Sequence, residues 1–351
     1  MVDYLVVGLG LAGISFCETL EKQGKTFQVV SDDSQKASLV AGGLYNPVIL
    51  KRFTLAWEAK KQMDTAIPFY QSLEEKLGVK LDYKLPVLRR FASVKEQNLW
   101  FEAMDKPGLD DFLSYKIVEN TNPRIDAPFG LGRVMNTGRV DTASLLRAYS
   151  KYLKAKELLV NESFDHSKLV LKGDEVTYVP IKTKRIVFAE GFGLKNNPLF
   201  RYLPLNGTKG ELLKIKAPQL HENSVIKSSV FIIPLGDHIY RVGATYKWKD
   251  KTNEPTEESK QELLTKLKTF LQCDFEVVEH VAGIRPTVVD RRPLVGQHPQ
   301  YTNVHCLNGF GSRGVLIAPF ASNQLFRSIE HGSSLHPEMD IQRFTKKYYR
   351  T

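Results

Sequence analysis

The sequence predicts a mixed fold, part α/β and part α+β, in which a Rossmann-like nucleotide-binding layer is interleaved with a second, β-rich domain. Three observations predict it. An apolar, β-branched run from Val2 to Val7 enters Gly8-Leu9-Gly10-Leu11-Ala12-Gly13 directly, and Ile14 to Gln23 continues at helical spacing: strand, tight turn, helix. Far along the chain, a strand at Asn303 to Leu307 leads into Gly309-Phe310-Gly311-Ser312-Arg313-Gly314 and a closing helix from Ala318 to Glu330, so the nucleotide layer closes with C-terminal sequence. Between them, short strands separated by turns outnumber helices.

In the opening motif Gly8 permits the turn, Gly10 lets backbone approach a pyrophosphate, and Gly13 lets the helix pack on the strand; free N–H groups and the helix dipole receive the phosphate charge. The second strand, Phe27 to Val30, ends at Ser31-Asp32-Asp33. Asp32 lies 24 residues after Gly8, near the place of an acid that binds an adenosine ribose; the plain alternative is a carboxylate that caps a loop. Ala41-Gly42-Gly43-Leu44-Tyr45-Asn46-Pro47 is a loop whose paired glycines let backbone pass close to something flat. A long helix follows, with Trp57, Met63, Ile67, Tyr70, Leu73 and Leu77 as core contacts and Gly78 as its stop.

From Leu81 to Val134 the pattern breaks into strand-like pieces at Val87-Leu88, Phe91-Ala92 and Tyr115 to Val118, part of the second domain. Asp141, after Gly138-Arg139-Val140, is read as the N-cap of a helix carrying Leu145, Tyr149 and Leu153. Strands follow at Leu158 to Val160, Leu169 to Leu171 and Arg185 to Ala189, the last ending at Glu190-Gly191. The β-rich block resumes at Gly210 to Ile215, Ser229 to Ile233 and His238 to Thr245, and one helix, Thr256 to Leu271, covers the sheet with an apolar face.

Composition narrows the class. With 351 residues, 42% hydrophobic and 25% charged, the chain has length for two or three domains and the balance of a globular protein. It shows no membrane-length apolar run and no signal peptide ahead of the first strand, so a cytoplasmic location is expected. Cys17, Cys273 and Cys306 are far apart and read as buried free thiols; no Cys or His spacing supports a metal site. The net charge of +10 is spread along the chain, and the basic tail, Arg343, Lys346, Lys347 and Arg350, reads as a solvated end.

Taken together, these motifs resemble the D-amino acid oxidase superfamily of FAD enzymes, which includes glycine and sarcosine oxidases. The resemblance rests on the Gly8/Gly10/Gly13 motif, Gly138 to Asp141, Ala189-Glu190-Gly191, Lys209-Gly210-Glu211, Val242 to Thr245, Gly283-Ile284-Arg285-Pro286 with Asp290 and Pro293, and Gly309 to Gly314. It implies an FAD-binding domain of residues 1–80, 135–205 and 281–351, and a mostly antiparallel β-sheet substrate domain of residues 81–134 and 206–280. It also implies Gly42 and Gly43 near the flavin, Gly191 toward the adenine, and Gly309, Gly311, Arg313 and Gly314 beside the isoalloxazine. Arg285 matches the arginine that binds a substrate carboxylate, with an ion pair to Asp290 as its structural alternative, and Tyr240 and Tyr45 are candidates for the pocket or for the core. Ser31 stands where the ribose acid is usual. The segment at Gly283 to Pro286 lacks the cysteine that attaches flavin in sarcosine oxidases, so FAD is expected to be noncovalent.

The expected reaction is hydride transfer from a small amine or amino acid to flavin, with the C–N bond oxidised and the electrons passed to oxygen or another acceptor. Three alternatives stand beside it. One is oxidation of a carboxymethylaminomethyl group on a tRNA wobble uridine, a less favoured nucleic-acid partner. Another is a 2-hydroxy acid dehydrogenase using His280 or His305 as base, and the third is a flavin-bound sensor without turnover.

Overall fold

The computed structural model describes residues 1–173 and 175–349; Arg350 of the basic tail lies outside them. Two large sheets dominate. In the first, strands 159–160, 27–30, 2–7 and 181–188 run parallel and side by side. The far edge of 181–188 is shared: its first residues pair with a hairpin of 169–172 and 175–178, and its last three pair in parallel with 304–308. Because side chains alternate across a strand, Tyr4 and Val6 face a core built with helices Leu11–Lys22, Ala59–Leu77, Thr142–Ala155 and Gly314–His331, while Leu5, Val7, Ile186 and Phe188 face a second core.

The second sheet has the order 276–285, 208–216, 239–243, 231–236, 225–227, 87–90, 131–134, 113–118, with 225–227 and 87–90 its parallel pair. Strand 276–285 runs across the boundary at 281 expected from the sequence. One face of this sheet buries Leu213, Ile215, Tyr240 and Val242 beneath helix Glu257–Lys268. The opposite face looks toward the nucleotide layer.

Local chemistry explains the helix ends. Asp141 accepts a hydrogen bond from the Ser144 amide at 3.0 Å, which is the capping role expected of it, and Gly78 ends helix Ala59–Leu77 in the left-handed region with φ of 63°. Two elements differ from expectation. Val94–Met104, within the stretch read as strand-like pieces, is a helix capped by Ser93, with Glu96 returning a carboxylate to the Ala92 amide at 2.7 Å. The closing helix begins at Gly314, not Ala318.

The basic tail is not simply solvated: Arg343 binds Asp290 at 2.9 Å and the Pro293 carbonyl at 2.9 Å, docking helix Gln342–Tyr348 on the loop below it. Cys17 and Cys306 are buried thiols, while Cys273 is half-buried. Among the described residues no helix is long and apolar enough to cross a membrane, and no cluster of His, Cys, Asp or Glu could hold a metal.

Candidate active site

A cavity of about 1260 Å³ lies between the two sheets and is lined by both. That exceeds the roughly 300–1,000 Å³ of a small-molecule pocket, leaving room for a dinucleotide and a substrate together. Its nucleotide side is made where three adjacent parallel strands end, at Gly8, Ser31 and Ala189-Glu190-Gly191. The packing there admits only glycine at two positions. A Cβ on Gly8, whose φ is +97°, would lie 2.6 Å from the Ala189 carbonyl oxygen, and one on Gly13 would lie 2.0 Å from the Gly8 oxygen. Helix Leu11–Lys22 therefore stands directly on the turn, with Gly10 as an N-cap that supplies no side-chain bond and no acidic residue in the first turn. Its N-terminus is a seat for an anion.

Asp32 lines the cavity, and its carboxylate accepts from the Ser34 amide at 3.0 Å and from the Ser34 and Ser163 hydroxyls. Burial works to raise its pKa, but these bonds outweigh burial and hold the carboxyl below the usual range. Ser31 accepts from the Leu9 amide at 3.0 Å and so braces the glycine turn.

The structure brings Gly8, Gly10, Asp32, Gly42, Gly43, Gly191, Gly311, Gly314 and Arg285 to the cavity wall. Gly13, Gly309 and Arg313 stand behind it. Gly309, with φ of +79°, gives its space to Val288 and Leu294. Arg313 donates to the Asn46 carbonyl at 3.0 Å, tying the 41–47 loop to the closing helix, and burial lowers its pKa to about 10. Arg313→Met removes that charged donor, so FAD should bind about 10-fold more weakly, measured by fluorescence titration. Unchanged affinity would mean that the loop holds its shape without the tie.

Arg285 ends strand 276–285, opposite Thr208. Its guanidinium lies flat over Gly210: a Cβ there would fall 1.9 to 2.2 Å from Nη2, Cζ and Nη1. Nη1 donates to the Thr245 carbonyl at 3.3 Å, and the guanidinium sits 4.9 Å from the centroid of the Tyr246 ring. Among the described residues no carboxylate pairs with it, since Asp290 is held by Arg343. Burial works against its charge, and the neighbouring Tyr246 works in the other direction. A half-buried guanidinium in a cavity wall, with spare donors and no counterion, is arranged for an anionic ligand.

Both candidate tyrosines lie elsewhere. Tyr45 is in the core of the first layer and donates to Asp82 at 2.8 Å; Tyr240 sits beneath helix Glu257–Lys268 and accepts from the Glu222 amide at 3.1 Å. The cavity-lining tyrosine is Tyr246, and Lys227, Ser229 and Phe231 also line the wall. Tyr246 follows the Val242 to Thr245 motif directly, which was a usable signal; the other three need the strand register.

His280 and His305 do not line the cavity either. His280 lies 3.0 Å from Glu211, which in turn accepts from the Thr256 amide and hydroxyl. His305 is buried in strand 304–308 with neither ring nitrogen bonded among the described residues, and burial, aided by the Arg185 cation, lowers its pKa to about 3. The unfolded chain therefore takes up this proton first as pH falls. Stability from His305 is complete above about pH 6.5 and is lost progressively as the pH falls from there toward 3. His305→Leu should flatten that part of a plot of urea midpoint against pH; an unaltered slope would place the loss in other groups.

A family model described as FAD dependent oxidoreductase (DAO) matches residues 3–325. Glycine oxidase of Bacillus subtilis (strain 168) is 24% identical over 343 residues, covering 90% of each chain. The tRNA 5-methylaminomethyl-2-thiouridine biosynthesis bifunctional protein of Azoarcus sp. (strain BH72) is 26% identical over 176 residues, which is 44% of this chain and 28% of that one. The crystal structure of iminodiacetate oxidase from Chelativorans sp. BNC1 superposes with a TM-score of 0.77 at 19% identity, over 95% of this chain and 96% of that one.

Proposed function

The chain belongs to the DAO family of FAD-dependent oxidoreductases, and on that premise we propose that its substrate is an amine bearing a carboxylate, held by Arg285. The observation that carries this reading is the unpaired guanidinium laid over Gly210 in the cavity wall.

Gly8, Gly10 and the first turn of helix Leu11–Lys22 would take the pyrophosphate of FAD, Asp32 the ribose, and Gly42, Gly43 and Gly311 the close backbone approach to its ring system. No cysteine occurs among the lining residues, which supports noncovalent attachment. Bound FAD supplies the two-electron acceptor for a hydride leaving the carbon next to nitrogen. The protein's own part is orientation. Arg285 offers two parallel N–H donors to a carboxylate, and with that end fixed the amine can approach in one sense only. Tyr246 and Phe231 border the cavity and reduce the water around the bound pair. Both histidines named for the hydroxy-acid alternative lie outside the lining.

The test is anaerobic. FAD-loaded protein should bleach in the visible on addition of glycine, sarcosine, iminodiacetate or a D-amino acid, and should not respond to glycolate or lactate. Bleaching by a hydroxy acid alone would overturn the amine assignment.

A further inference from the structure

A second cation stands in the cavity wall. Lys227 lines the cavity from strand 225–227 and is half-buried; among the described residues its ammonium has no carboxylate and no hydrogen-bond acceptor. The charges around it are of its own sign. Arg89, directly across the sheet from it, is satisfied by Glu96 at 2.9 Å, and Lys266 by Glu262 at 2.6 Å, so neither carboxylate is free to serve Lys227. The ammonium rests 4.4 Å from the centroid of the Phe231 ring, which keeps it in the cavity but supplies no counterion. Burial, with Arg89 and Lys266 adding to it, lowers the pKa to about 8, so the group is charged at neutral pH at a cost that an anion would offset.

The register fixes how far this cation lies from Arg285. Lys227 pairs with Phe231, Phe231 with Gly243, and Gly243 with Leu212, one row straight across the sheet. Directly opposed residues share a face, and Gly210, under the Arg285 guanidinium, is two residues from Leu212 on that same face. Three strand spacings and two residues of rise separate the strand positions, and the lean of Lys227 over Phe231 shortens the span, which leaves about 10–15 Å between the two charges. Glycine and iminodiacetate are too short to bridge it.

Resting on the reading of Arg285 given above, we propose that Lys227 is a second anion subsite, and that the substrate is an extended amine with one carboxylate on Arg285 and a second anionic group, carboxylate or phosphate, on Lys227. The shared chemistry has two sources, a free long-chain dicarboxylate or the phosphate of a modified nucleotide.

The experiment uses FAD-loaded protein and reads binding from the perturbation of the flavin spectrum, which needs no turnover. N-octylglycine is compared with N-(7-carboxyheptyl)glycine, which differs in a charged tail end, and carboxymethylaminomethyl uridine with its 5′-monophosphate. In wild type the charged member of at least one pair should bind about 10-fold tighter or better. Lys227→Gln should abolish that preference with FAD affinity unchanged and the melting temperature no lower than that of wild type, and Lys227→Arg should restore it. The pair that shows the effect identifies the source. A wild-type protein indifferent to both charged ends, or a preference that survives Lys227→Gln, would overturn the subsite. Failure of all four to perturb the flavin would instead count against Arg285 as the carboxylate site, and the second subsite would fall with it.

Discussion

Gly210→Ala is expected to damage the enzyme about as severely as Arg285→Ala, although residue 210 offers no side chain to a substrate. If Arg285 holds the substrate carboxylate as proposed, truncating it removes a bidentate ion pair in a sheltered site, and such losses cost roughly 2–5 kcal/mol, or about 30- to 5,000-fold in kcat/KM. The methyl that Gly210→Ala introduces would fall 1.9 to 2.2 Å from three atoms of the guanidinium, so the arginine must leave its place over the backbone. Nothing else in the strand needs to change, because residue 210 keeps its ladder partners. Both variants should retain FAD, since neither residue touches the glycine turn at 8–13. Arg285→Lys should rescue little: an ammonium is a point charge and cannot present two parallel donors to one carboxylate. The measurements are the rate of anaerobic flavin reduction against amine concentration, and the flavin content of the purified protein. Wild-type kinetics in Gly210→Ala would show that the guanidinium works from some other position. Parallel loss of FAD and activity in Arg285→Ala would sink its assignment to substrate.

What could be read from the sequence was what is local. The Gly8 to Gly13 turn, the Asp141 cap and the Gly78 stop each depend on residues within a few positions of one another, and so does the Ser93-x-x-Glu96 cap, a legible signal passed over among the turns of 81–134. What could not be read was which face of a strand looks into the cavity. Tyr240 and Tyr246 are six residues apart, yet Tyr240 pairs with Ile215 and turns under helix Glu257–Lys268, whereas Tyr246 lies past the strand end and meets Arg285. Lys227 is part of the cavity only because a four-strand register carries it there. The link between Gly210 and Arg285 is likewise a contact across two strands, although Lys209-Gly210-Glu211 and Gly283 to Pro286 each marked their own place in the sequence.

The second large effect is expected at Gly13, and Gly24 supplies its control. Both sit at the ends of helix Leu11–Lys22, one inside its first turn and one beyond its last. Gly24 has φ of +64° and open space where a Cβ would go, so Gly24→Ala carries only the conformational cost of a left-handed residue, about 1 kcal/mol. Gly13 has the reverse problem. Its backbone is ordinary helix, but a methyl there would meet the Gly8 carbonyl oxygen at 2.0 Å, and backbone against backbone cannot be relieved by a rotamer. The helix must back away from the strand, and it is packed between the first sheet and helix Gly314–His331. Overpacking of this kind costs about 1–3 kcal/mol or somewhat more, and the same displacement carries the helix N-terminus away from its anion seat. Gly13→Ala should therefore lower the melting temperature and weaken FAD by 100-fold or more, whereas Gly24→Ala should lower only the melting temperature. FAD affinity falling equally in both would show that general loosening of the helix, and not its distance from the Gly8 turn, controls the cofactor.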